Sequence, residues 1–109
     1  MAYDERLADE LRAALGDRPG LSERRMFGGL CLMLNGHMLC GTFRDGGMYR
    51  VGKDKEAAAL ALPHVRPMEM TGRRMGGLVE VDAEAIVDPE LRAELLRLAL
   101  GFVESLPPK

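Results

Sequence analysis

Asn35-Gly36 stands between two largely apolar runs, "GLCLML" and "HMLCGTF", inside the stretch from Arg24 to Phe43. Asn-Gly between such runs is the strongest short-range hairpin signal, because both residues accept the left-handed backbone of a two-residue turn. With the turn there, Leu34 faces His37, Met33 faces Met38, Leu32 faces Leu39 and Cys31 faces Cys40. Counted from the turn, the two cysteines form a non-hydrogen-bonded cross-strand pair, with Cα atoms about 4.5–5.5 Å apart and within disulfide reach. Alternation then puts Cys31, Met33, Met38 and Cys40 on one face, and Leu30, Leu32, Leu34, Leu39 and Phe43 on the other. Both faces are apolar, so each must be covered. The expectation is that helices cover one face and a second copy of the chain covers part of the other.

The flanking sequence supplies those helices. In "DERLADELRAALG", Leu7, Leu11, Ala14 and Leu15 fall on one stripe, Asp4 can cap the start and Gly16 the end. "RDGG" turns the chain into a third strand, "MYRV", and "KEAAALAL" is a short helix that Pro63 stops. "HVRPMEMTGRRMGGLVEVD" suggests two more strands about the link "TGRRMGG". Asp88 as cap, Pro89 at the first helical position and Leu91, Leu95, Leu98, Phe102 and Leu106 at spacings of three and four predict the last helix. The fold class is therefore α+β. A meander hairpin plus two further antiparallel strands packs with three helices, in the order α-β-β-β-α-β-β-α.

A chain of 109 residues is one domain, and its apolar and charged fractions are those of an ordinary globule. The N-terminus has no basic stretch followed by an apolar core, and "LCLML" is far short of a bilayer span, which predicts a cytosolic protein with no membrane contact. Two cysteines there are expected as reduced thiols. The net charge of −2 conceals an acidic pair of flanks around a basic middle, with nine Lys or Arg against four Asp or Glu from Arg24 to Arg74.

Little catalytic chemistry is visible. His37 sits beside the turn, where it is expected to be exposed, and His64 follows Pro63, neither with a motif partner. The thiols lie in apolar strands, where burial raises their pKa and makes them inert. "FGG", "DGG" and "MGG" match neither a P-loop nor a dinucleotide fingerprint, so they read as turns and close backbone contacts. The arginines are the better candidates. Arg66, Arg73 and Arg74 flank one strand-link-strand unit, and Arg50 leaves the sheet on the opposite face from Tyr49 and Val51. An arginine fork suits phosphate or carboxylate, so these four form the candidate interaction or anion surface, to be weighed against ordinary surface ion pairs.

At "MFGGLCLMLNGHMLCG", "MYRVG" and "HVRPMEMTGRRMGGLVEVD" the chain resembles the N-terminal domain of the TfoX/Sxy family, bacterial regulators of natural competence. The matched pieces are Met26-Phe27-Gly28-Gly29, Arg50-Val51-Gly52 and Arg66-Pro67-Met68, with Gly72 and Met75 following; their roles are mainly structural. The resemblance runs over nearly the whole length. It implies a small α+β domain of helices on an antiparallel sheet, with no defined catalytic activity. The regulators that it resembles carry a second, C-terminal domain. The expectation here is a single domain over residues 1–109 without that second one.

The function expected is that of a non-enzymatic regulatory module acting by protein contact in transcriptional or stress regulation, with no cofactor and no metal. Its partner is an unidentified protein or a second copy of the chain. Two rival readings remain. One is nucleic-acid binding through the arginines, disfavoured for single strands by the absence of tryptophan and the scarcity of other aromatics. The other is a thiol or soft-metal sensor in which Cys31, Cys40 and the neighbouring methionines hold copper(I); core packing of reduced thiols is preferred to it.

Overall fold

A computed structural model describes residues 3–109. Helix α1 (Glu5–Leu15) leads into strands β1 (Leu21–Met26), β2 (Gly29–Leu34), β3 (His37–Phe43) and β4 (Gly46–Arg50). A 3-10 turn at Lys53–Lys55 continues into helix α2 (Glu56–Leu60), followed by β5 (Val65–Met70), β6 (Arg73–Val81), α3 (Glu84–Val87) and α4 (Pro89–Val103). The strands form one six-stranded antiparallel sheet in the order β1-β2-β3-β4-β6-β5, so the α+β class stands. It exceeds the expected order by strand β1 and by α3. The link between β5 and β6 is only Thr71-Gly72, so Arg73 and Arg74 belong to a strand.

Both long helices begin as their caps predict. The Asp4 side chain accepts from the Arg6 amide, and Asp88 accepts from the amides of Glu90 and Leu91 with Pro89 just inside. Their apolar stripes close one side of the sheet, where Leu7, Leu11, Leu95 and Ala99 meet Leu32, Leu39, Tyr49 and Val79. The Tyr49 hydroxyl donates to the Ala85 carbonyl at 2.9 Å, which satisfies the one polar atom of that large buried ring.

The hairpin tip is where Asn35-Gly36 puts it, with Leu34 opposite His37 and Met33 opposite Met38. One residue further the register changes. Leu32 pairs with Cys40 and Cys31 with Gly41, so Leu39 is the extra residue of a bulge. The expected Cys31–Cys40 pair therefore does not form. Leu39 and Cys40 both face the helices, while Cys31 and Phe43 face the other side, so Cys40 and Phe43 exchange the faces that simple alternation assigns them. Gly41 permits this register, because a Cβ there would lie 2.3 Å from the Leu30 carbonyl oxygen.

His37 is buried, not exposed. The C-terminal segment crosses the tip, where His37 Nε2 donates to the Pro107 carbonyl at 2.6 Å and the Lys109 amide donates to Asn35 O at 3.0 Å.

On the side away from the helices, Cys31, Met33, Phe43, Met48, Met68 and Leu78 form a second cluster to which no helix contributes. Cys31, Met48 and Met68 are fully buried there. Without a covering layer, that burial requires the sheet to curl around them, and the bulges in β2–β3 and β5–β6 supply the added twist. Phe27 meets Phe43 edge to face with centroids 6.4 Å apart. Both outer strands are poorly suited to further pairing: β1 carries Ser22, Glu23, Arg24 and Arg25, and β5 carries Pro67 and Glu69.

Candidate functional site

Two surfaces stand out, one apolar and one basic. The apolar one is the rim of the second cluster, where Met26, Phe27, Met38, Met70 and Met75 are half-buried. Turns bring them there. Phe27-Gly28 and Thr71-Gly72 repeat the backbone of Asn35-Gly36, with positive φ at both residues: 56° and 75°, and 50° and 78°. The separate sequence pieces containing Met26-Phe27, Met68 and Met75 thus converge on one face. Thioether side chains fill irregular space and repack at low cost, which suits a contact surface.

The two cysteines do not come together. Burial pushes the Cys31 thiol up to about 11 and the Cys40 thiol higher still. They lie on opposite sides of the sheet, so a shared metal or an intramolecular disulfide would need the bulge to be undone. The two histidines are also spoken for. His37 is held by the C-terminal segment, and His64 contacts Asp82 at 3.4 Å. His64, Asp82 and Glu84 place ligand-type atoms within 4.8 Å of one another. Asp82 is already bound to Arg66 at 2.7 Å, which holds its carboxyl below the usual range, and the group reads as surface ion pairing.

The four arginines occupy different surroundings. Arg66, opposite Glu80, binds Asp82 and the buried Glu80 carboxylate at 3.1 Å, and Arg44 approaches Glu80 from its other oxygen at 3.7 Å. Arg74 binds Glu56 at 2.7 Å. Arg73, opposite Met70 at the hairpin tip, is exposed and has no carboxylate partner among the described residues. Arg50 is half-buried, also without such a partner, and its guanidinium lies 5.4 Å from the centroid of the Phe102 ring. The structure thus joins Arg66 and Arg74 to acids and leaves Arg73 and Arg50 apart from each other.

Arg50 opens the basic surface, a cleft of about 580 Å³. One wall is Arg50-Val51-Gly52 and the 3-10 turn Lys53–Lys55; the floor is Gly76-Gly77; the other wall is the last turns of α4, with Arg97, Leu98, Gly101, Phe102 and Ser105. Backbone hydrogen bonds tie wall to floor, the amides of Val51 and Gly52 donating to Gly77 O at 2.9 and 3.0 Å. Glu56 fastens the floor from behind: it accepts from the Gly77 amide at 2.9 Å and from Arg74, and these contacts in that order hold its carboxyl below the ordinary value. Gly52 is obligatory there, since its φ is 84° and a Cβ would lie 2.4 Å from Phe102. Of the cleft, only Arg50 was read from the sequence as an anion-binding residue; Val51 and Gly52 appeared as a family motif, Leu98 and Phe102 as helix core, and Gly76-Gly77 as a glycine cluster. The cleft joins residues 50–55, 76–77 and 97–105, three segments that no local pattern connects.

These features define an α+β fold whose distinctive surfaces are a methionine-lined sheet face and a basic cleft, without a nucleophile and base held together among the described residues. The TfoX N-terminal domain family matches residues 13–103, most of the chain, and the protein belongs to that family. No curated protein and no solved structure matches it. No helix among the described residues is long and apolar enough to cross a membrane.

Proposed function

We propose that this chain is a non-enzymatic regulatory module that works by protein contact, in transcriptional or stress regulation. The observation that carries this reading is the methionine face. Five half-buried apolar side chains lie on the side of the sheet that no helix covers, and flexible thioethers there can adapt to a partner. Family membership supports a regulatory role, and the raised thiol pKa values speak against a cysteine nucleophile. A second copy of the chain is one partner that such a face accommodates.

The test is affinity capture from the native host with the wild type and a Met26→Glu/Met75→Glu variant, each also run in sedimentation. Both positions are half-exposed, so the variant is expected to fold. The expected result is a specific protein, or a dimer, that the wild type retains and the variant loses. Identical retention by both, or a monomer that retains nothing, overturns the reading. Nucleic-acid binding is less well supported, because Arg66 and Arg74 already have carboxylate partners. A steep fall of DNA or RNA affinity with salt would reinstate it.

A further inference from the structure

We infer that the cleft between the Arg50–Lys55 wall and the end of α4 binds a small organic phosphate. Three observations meet there. The first is unanswered charge. Arg50, Lys53 and Lys55 line the cleft with no carboxylate in ion-pair contact among the described residues, whereas Arg97 on the opposite wall is bound to Glu94 at 2.6 Å. Asp54 is the cleft's one acid, so the unpaired charges sum to about what a phosphate-ester dianion would neutralise.

The second is the condition of Arg50. It is half-buried and rests on the Phe102 ring, which orients the guanidinium but leaves its donors without an anion. Phe102 and Leu98 beside it offer an apolar surface to the organic part of a ligand, and about 580 Å³ lies within the range of small-molecule sites.

The third is Gly101. Glycine is a poor residue for the interior of a helix, yet it sits in α4, and no heavy atom outside its own helix lies within 4 Å of where its side chain would begin. Packing does not demand it. Its position does: a side chain at 101 would project into the cleft, so glycine there keeps the cleft open.

Titration of isotopically labelled protein with phenyl phosphate, followed by NMR at low ionic strength, tests this. The expected result is saturable shifts confined to residues 50–55, 76–77 and 97–105, at least about tenfold weaker affinity for benzoate, and a similar loss in Arg50→Gln. Gly101→Leu is the second variant. Leucine is a better helix former than glycine and its Cβ would meet no heavy atom within 4 Å, so this variant should melt no lower than the wild type while losing binding. Absence of saturation by about 10 mM overturns the proposal. So do shifts spread equally over Arg24 and Arg73, equal affinity for benzoate, or undiminished binding in folded Gly101→Leu.

Discussion

On the helix side of the sheet, Leu39, Tyr49 and Val79 are sealed by Leu11, Leu95 and Ala99 from the two long helices, whereas on the other side Cys31, Met48 and Met68 are sealed by side chains of neighbouring strands. Both sets are buried almost completely. One side reaches this by packing between layers, the other by curling the sheet around a cluster in which methionines accompany Phe43 and Leu78. Full burial thus does not by itself mark a finished core. The first side ends at a helical surface, while the second ends at half-exposed Met26, Met38, Met70 and Met75, which still have apolar area to give to a partner.

Paired truncations test that contrast most strongly. Leu95→Ala, in the fully buried helix-side core, should cost about 3–4 kcal/mol in denaturant unfolding, and Met75→Ala, on the rim, about 0.5–1 kcal/mol. Equal losses would mean that the methionine face is as tightly packed as the helix side.

The thiols report on each side separately. With Cys31 raised to about 11 and fully buried, native-state labelling should be slowed at least about a hundredfold against free cysteine, and Cys40 should react more slowly still. Mild oxidation of folded monomer should leave both thiols free by mass spectrometry. A Cys31–Cys40 disulfide would refute the bulge that separates them.

Glu56 joins α2 on one side to Arg74 at the β5–β6 tip, and pH probes that link. Its folded pKa is lowered, so the unfolded chain takes up the proton first as pH falls. The contribution is therefore complete above the ordinary value of 4.5 and is lost as pH falls through the folded value. Glu56→Gln should flatten the acid limb of the stability curve. Asp82→Asn should do so less, because Asp82 is 46% exposed against 13% for Glu56. The smallest effect concerns Thr71, a β-branched residue at φ 50°. Thr71→Asn should raise stability by roughly 0.5 kcal/mol, read as a small increase in Tm.

Legibility in the sequence followed how local each cause is. The Asn35-Gly36 turn and the caps at Asp4 and Asp88 act over two to four residues, and they were readable. Strand β1 was not, because "LSERRM" lies at an edge and has no apolar alternation to mark it. The turns at Phe27-Gly28 and Thr71-Gly72 fall within "FGG" and "TGRRMGG", where glycine marked them, but their two-residue form was obscured because Phe27 and Thr71 rarely adopt positive φ. The bulge at Leu39 hides in an apolar run where every register looks acceptable; the nearby Gly41 was the available sign. Arg50 was legible as an anion candidate, but the cleft around it is assembled from three separate segments and is a product of the tertiary fold.

The outer strands bear on how this protein behaves when crowded. Charged β1 and Pro67-bearing β5 offer poor templates for another strand, so association that extends the sheet from molecule to molecule is disfavoured at either end. On the proposed reading, contact falls instead on the broad methionine face, away from both edges. A domain with such edges can leave methionines half-exposed while growth of a filament by strand addition stays disfavoured at both ends of its sheet.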